Sequence, residues 1–270
     1  MSRPLLTRMV TELDLPVAGG FRMRVDTSEA IGRVLAVTGS WEPHVTTAFR
    51  RLLSPGDVAI DVGANIGYHT LLAAKLVGPG GHVYAFEPAA GTFTALTANI
   101  SLNHASNVTA LCIAAGAASG EATLENRSWG GPLHSFIRRE SESESSEPSS
   151  GGTSVQVEPV ASFVQPEQLS RLRLVKIDVE GYEHEVLQGL QQLFDDGARP
   201  ALIVEVHPDA TGTVPLLREL AERFALQGFR LYDERTVDHV APWLHKPIEL
   251  VAPLELGREP HVLLVPAARR

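Results

Sequence analysis

The chain has 270 residues, of which 44% are hydrophobic, and a formal net charge of −9. That is enough chain to bury a sizeable core as one decorated domain, and no apolar run is long enough to span a membrane. The acidic balance and the lack of a Lys/Arg-rich stripe count against a nucleic-acid partner, while Met1–Arg8 lacks the features of a signal peptide, which points to a soluble, cytoplasmic protein.

Residues 1–56 read as an N-terminal cap. Phe21 to Val25 alternates apolar and charged residues, as a half-exposed strand does, and Ile31 to Val37 has the length of a short helix. Trp41-Glu42-Pro43 opens a second helix running to Leu53. The cap either covers one sheet edge or closes as a lid over a ligand, and in the second case Glu42 lies near the ligand's charged end. Ser54-Pro55-Gly56-Asp57 is a turn into the main domain, residues 57–270.

Val58, Ala59, Ile60 and Val62 form an almost unbroken apolar run, the pattern of a strand buried on both faces of a parallel sheet. It ends at Asp61-Val-Gly63-Ala-Asn65-Ile-Gly67, and Thr70 onward reads as helix. A ligand at this turn sits against backbone N–H groups at a helix N-terminus. The glycines are four apart, with Asn65 between them, which departs from the G-x-G-x-x-G series of dinucleotide sites. The series is similar to the first motif of class I S-adenosylmethionine (SAM) methyltransferases. The next strand, Gly81 to Phe86, ends at Glu87, a carboxylate placed to accept from two ribose hydroxyls.

A helix from Gly91 to Leu102 and a third strand from Val108 to Ile113 follow, with Cys112 read as a buried filler. Ala114-Ala115-Gly116 is the loop where the adenine edge rests, because ligands in open α/β sheets gather outside the carboxyl ends of strands. Residues 126–154 read as an insertion, mobile around its Ser/Glu run from Glu140 to Glu147. Its flanks, Ser128-Trp129-Gly130 and His134-Ser135-Phe136, carry aromatic content suited to folding over a substrate.

Core pattern resumes at Val155, and Leu172 to Glu180 is a strand ending in acidic residues, followed by a helix from Tyr182 to Leu193. Lys176, Asp178 and Glu180 share one strand face, and Glu205 in the next strand, Ala201 to His207, is a natural partner for Lys176. Asp178, Glu180, His184 and His207 gather at the strand-end rim as candidates for a general base. A helix from Val214 to Gln227, a strand at Phe229 and a last strand at His261 close the chain. No ligand spacing such as H-x-x-x-H is present, so no metal is expected.

Asp61-Val-Gly-Ala-Asn-Ile-Gly, Phe86-Glu-Pro, Asn99-Ile-Ser-Leu-Asn and Lys176-Ile-Asp-Val-Glu-Gly-Tyr-Glu resemble the signatures of FkbM-type SAM-dependent methyltransferases, over roughly residues 40–265. The resemblance implies an α/β, Rossmann-like, seven-stranded and mostly parallel sheet, with an antiparallel last strand and helices on both faces. It implies SAM as cofactor and O-methylation of hydroxyls on polyketide, sugar or peptide metabolites. By that likeness Asp61, Gly63, Asn65 and Gly67 hold the methionine half of SAM, Glu87 and Pro88 lie at the ribose, and Asp178 borders the transfer site. Two departures bear on the acceptor: Ala161-Ser-Phe-Val stands where relatives commonly have Thr-Leu-Asp-Asp, and the Ser/Glu insertion is longer than usual. The competing classes are a nicotinamide-dependent oxidoreductase and a non-catalytic SAM-binding protein.

Overall fold

Every residue of β3 (Val58–Val62) is buried, and the strand sits inside a seven-stranded sheet, as its apolar run requires. The structure, a computed structural model, describes residues 11–126, 135–138, 152–207, 212–230 and 261–267. The sheet runs in the order β12 (Leu226–Arg230), β13 (His261–Pro266), β11 (Ala201–Glu205), β10 (Leu172–Ile177), β3, β4 (His82–Phe86), β5 (Val108–Leu111). From β11 to β5 all pairs are parallel, and β13 is antiparallel to both its neighbours. From β3 the chain builds outward through β4 and β5, then returns to lay β10 on the other side of β3. That reversal opens a crevice at the carboxyl ends of β3 and β10.

The period-two alternation of the strands feeds two cores. Val58, Ile60 and Val62 join Val175, Ile177, Leu202 and Val204 on the face covered by α5 (Glu183–Asp195) and α6 (Thr213–Arg223). Ala59, Val83, Leu174 and Ile203 face the other way, toward α2 (Pro43–Leu52), α3 (Tyr68–Val77) and the N-terminal elements. Among the described residues no helix is long and apolar enough to cross a membrane.

The cap consists of a hairpin, β1 (Glu12–Pro16) with β2 (Arg22–Asp26), then α1 (Ala30–Thr38) and α2. β1 gave no sequence signal because four of its five residues are exposed. Two side-chain amides dock the hairpin on α4 (Ala90–Leu102) and the residue after it. The Asn99 amide accepts from Arg24 N–H (2.7 Å) and donates to Arg24 C=O (3.1 Å). Asn103 makes the same pair of bonds with Arg22, at 2.8 and 2.7 Å. Each amide thus imitates a neighbouring strand at the free edge of β2. Asn99 also donates to Ile66 C=O (2.9 Å), which ties the cap to the glycine turn.

A second sheet in the order β6 (Ala114–Ala115), β9 (Thr153–Glu158), β7 (Gly120–Asn126), β8 (Ser135–Arg138) accounts for much of the stretch after β5. Ala114 and Ala115 are therefore a buried strand of this sheet rather than a ligand-facing loop. Cys112 is exposed, not a core filler, because the strand run breaks after Leu111 and the chain turns into the second sheet. Partial shielding of the sulfur from water and the charge of Glu87 hold its thiol above the ordinary value, so the group is not activated as a nucleophile. Inside 126–154, Ser135–Arg138 pairs with β7 as a strand. Ser128–Gly130, the Ser/Glu run and Met1–Arg8 lie outside the described residues.

Asn99 is fully buried and carries three bonds, so its loss strands backbone groups away from water. Asn99→Ala is expected to cost about 2–3 kcal/mol in urea unfolding, and Asn103→Ala, at a more exposed position, about 1 kcal/mol.

Candidate active site

The crevice is built on the turn that leaves β3. Gly63 takes φ +76°, and a Cβ there would collide with the carbonyl oxygen of Asp178, so β3 and β10 approach closely only through glycine. The N–H groups of the turn are not offered to a ligand. Gly63 and Ala64 donate to Phe86 C=O, Asn65 to Glu87 Oε2, Ile66 to the Asn65 side chain and Gly67 to Ala64 C=O. The turn contributes space and shape, where the glycine pattern alone suggested free donors. Gly67 lies outside the cavity wall, as the left-handed residue (φ +96°) from which α3 starts.

Glu87, just past β4, borders the cavity with Pro88. One carboxylate oxygen accepts from Asn65 N–H (3.0 Å) and the other from Ala89 N–H (3.0 Å). A carboxylate has about four acceptor sites, so each oxygen keeps capacity for one more donor. Burial pushes the Glu87 carboxyl up to about 7, against the pull of these two bonds.

Asp61 is not on the wall either. It is completely buried beneath the turn, where Thr70 Oγ1 donates to it at 2.6 Å and Lys176 Nζ lies 3.4 Å away. Burial holds its carboxyl above the usual range in opposition to Lys176. Lys176 Nζ also donates to Gly63 C=O (3.0 Å) and reaches Asp178 Oδ2 (3.1 Å). Burial alone would strip its proton, but Asp178 and Asp61 outweigh that and keep it an ammonium. Its partners are therefore Asp61 and Asp178, not Glu205. The β10–β3 register sets Lys176 directly beside Asp61, whereas its register neighbour on β11 is Ile203.

Glu205 instead lies beside Asp178, with a carboxylate oxygen of each within 4.8 Å of the other and of a His207 ring nitrogen. Burial and the Asp178 charge hold the Glu205 carboxyl well above the usual range. His207 sits behind this pair, its Nδ1 2.7 Å from the fully buried Glu183 and its Nε2 3.2 Å from Glu180. Burial opposes protonation, yet Glu180 and Glu183 push the imidazole up to about 11. An imidazolium gripped by two carboxylates is no proton acceptor, which removes His207 from the candidate bases. His184 drops out by position: it lies on α5, its Nε2 3.0 Å from Gln188 and its ring against Gly212. The chain leaves β10 at Ile177, so the alternation that grouped Glu180 with Lys176 stops short, and α5 begins only at Glu183.

The opposite wall comes from the cap, the start of α3 and β7. Glu42 lines the cavity as the residue before α2, and His69, in the first turn of α3, faces it with Nδ1 3.9 Å from its carboxylate. Trp41, Tyr68 and Leu124 of β7 complete the enclosure. Of the five described non-glycine residues with positive φ, three (Glu42, Asn65 and Glu180) border this one cavity. Such backbone costs about 1–3 kcal/mol per residue and concentrates at functional sites. Sequence reasoning missed His69, Trp41, Tyr68 and the placement of Glu205 on the wall. A histidine two residues after the last glycine, inside an apolar helix, was the available signal for His69.

Asp178, Glu205 and His207 offer ligand atoms within 4.8 Å of one another. The set does not suit a cation as it stands, because the Lys176 ammonium already lies against Asp178 and His207 carries its own charge.

A sheet of this order with its last strand inserted antiparallel, a glycine turn after the first core strand and a carboxylate ending the second define a class I SAM-dependent methyltransferase. The family model described as "Methyltransferase FkbM domain" matches residues 61–231, and the chain belongs to that family. It is 28% identical over 186 residues to the hexuronic acid methyltransferase AglP of Haloferax volcanii, covering 69% of this chain and 70% of that one. A 47-residue stretch, 17% of this chain and 18% of the relative, is 60% identical to the 31-O-demethyl-FK506 methyltransferase FkbM of Streptomyces tacrolimicus. Among solved structures it resembles M. jannaschii TYW2 in complex with AdoMet, at 14% identity and a TM-score of 0.45, over 94% of this chain and 84% of that one. An rRNA methylase from Streptococcus thermophilus gives 13% identity and 0.43, over 82% and 91%.

Removing the Lys176 ammonium leaves two carboxyl groups at close quarters in the interior. Lys176→Met is expected to lose about 3–5 kcal/mol in chemical denaturation. Lys176→Met/Asp61→Asn should recover part of that loss, and strictly additive losses would show that the two side chains are not coupled.

Proposed function

We propose that the enzyme methylates a hydroxyl or enol oxygen of a small-molecule acceptor, such as a sugar or a secondary metabolite. The observation that carries this reading is the cavity running from Glu87, past the glycine turn, to the Asp178–Glu205 pair, with Glu42 and His69 opposite. The names of the two relatives, a hexuronic acid methyltransferase and a 31-O-demethyl-FK506 methyltransferase, support a small-molecule acceptor. A cytoplasmic setting goes with it, since the lone thiol of Cys112 calls for no oxidising compartment.

In this reading Glu87 holds the ribose through its two remaining acceptor sites, with Pro88 beside it. Gly63 and Asn65 shape the methionine end of the site, and Asp61 and Gly67 act from beneath by fixing the turn. SAM supplies an electrophilic methyl carried on a sulfonium. The protein's part is to hold an acceptor oxygen in line with it and to receive the proton that oxygen loses. Asp178 is the first candidate for that proton, being on the wall beside Glu205, and Glu180 is the second.

Mass spectrometry of hydroxylated metabolites incubated with enzyme and SAM should show the gain of one methylene, with chelators having no effect. Asp178→Asn is expected to lower turnover by about 100-fold or more while SAM still raises the melting temperature, and Glu180→Gln to lower it less. A thermal shift with NAD and none with SAM would favour the oxidoreductase class instead.

Glu87 also sets a pH dependence. Ribose hydroxyls bond best to the ionised carboxylate, so binding draws off the proton that the free enzyme holds below pH of about 7. S-adenosylhomocysteine carries the same ribose without the sulfonium charge, and its affinity should be level above that pH and fall by up to about tenfold per unit below it. Glu87→Gln should bind it weakly and without that slope, and an unchanged slope would remove Glu87 from the ribose.

A further inference from the structure

Asp178 and Glu205 bring carboxylate oxygens within 4.8 Å of one another in the cavity wall. Two carboxyl groups that close disfavour double ionisation, and the pair holds one proton between them until a further positive charge displaces it. A stored proton is a problem for the proposed reaction, because a protonated pair is a poor acceptor for the hydroxyl proton that must leave. The structure suggests what clears it.

We propose that the positive charge of the methyl donor arms the base: the Asp178–Glu205 pair surrenders its shared proton to solvent when the sulfonium enters the cavity, and takes up the acceptor's proton during transfer. The proposal rests on the SAM reading of this cavity. Its geometric ground is the arrangement of acids around one cation. Asp61, Asp178 and Glu42 act on Lys176, the one described lysine or arginine lining the cavity, and Glu205 stands within 4.8 Å of Asp178. The other groups facing Glu205 are His207, with its Nε2 4.0 Å away, and Asp178 and Glu42 through their charges. His207 is already engaged by Glu180 and Glu183. A second positive charge in the cavity stabilises the ionised pair, whereas a neutral ligand leaves the proton where it is.

The balance closes over one turnover. The pair first releases one proton to solvent. In the transfer step it receives the acceptor's O–H proton as the oxygen–methyl bond forms and the methyl–sulfur bond breaks, the bonding electrons staying on sulfur. The product thioether, S-adenosylhomocysteine (SAH), is neutral at sulfur, so the re-protonated pair no longer gains from holding it. Glu205 thereby becomes a specificity-determining residue for the charge state of the cofactor, favouring donor over product.

Isothermal titration calorimetry of the full chain, near pH 7.5, in phosphate and in Tris, counts the protons exchanged on binding, because the two buffers differ in ionisation enthalpy. SAM and SAH share the ribose and amino-acid ends, so proton exchange at Glu87 and at those ends cancels in their difference. The expected result is about one proton more released with SAM than with SAH, and a SAM-to-SAH affinity ratio that rises by up to about tenfold per pH unit. In Glu205→Gln the extra proton and the pH slope of the ratio should both vanish while SAH still binds. Equal proton counts for the two ligands, or a difference that survives in Glu205→Gln, would overturn the proposal while leaving the SAM site intact. Failure of both ligands to bind would overturn the SAM reading and the proposal with it.

Discussion

The ammonium of Lys176 is the interaction on which the site depends. It sits in the interior between Asp61 and Asp178 and donates to the carbonyl of Gly63. Three pieces of chain, the end of β3, the glycine turn and the end of β10, thus converge on one charge. Without it, the buried carboxyl of Asp61 would keep its bond from Thr70 but lose its cation, and Asp178 would lose the charge that faces it across the cavity edge. A buried ion pair of this kind contributes little net stability compared with apolar packing, but losing one member is costly. Its value lies in specificity: it fixes the spacing between the floor of the turn and the acidic rim.

Electrostatic economy of the same kind explains how the rim is divided. His207 is spent on Glu180 and Glu183, so its charge supports the β10–α5 turn rather than the cavity. Glu205 is left facing Asp178 across less than 4.8 Å. The N-terminal cap closes the far side with Glu42, beside His69 of α3, and it is pinned to the core by Asn99, which bonds both Arg24 and Ile66. A cap anchored to the glycine turn itself is mechanically tied to the loop that borders the cavity.

Much of this was legible in the residues, and the limits were physical. The buried run at 58–62, the glycine turn and Glu87 were readable because a parallel strand, a left-handed turn and a strand-end acid each leave a local pattern. The pairing of Lys176 was not, because it depends on which strand lies alongside in register, a tertiary fact. The same holds for Ala114 and Ala115, whose apolar run continues past β5 although the chain has already left for the second sheet. For His207 the residue and its place at the strand end were evident, but its protonation state depends on Glu183, which the helix start brings back to it.

A crystal structure of the enzyme with SAH tests the central claim most directly. The account requires the nucleoside between the 63–67 turn and Glu87, with ribose oxygens on the Glu87 carboxylate and Lys176 still touching Gly63, Asp61 and Asp178. A nucleoside bound elsewhere, or a Lys176 side chain swung out to meet the ligand, would contradict it.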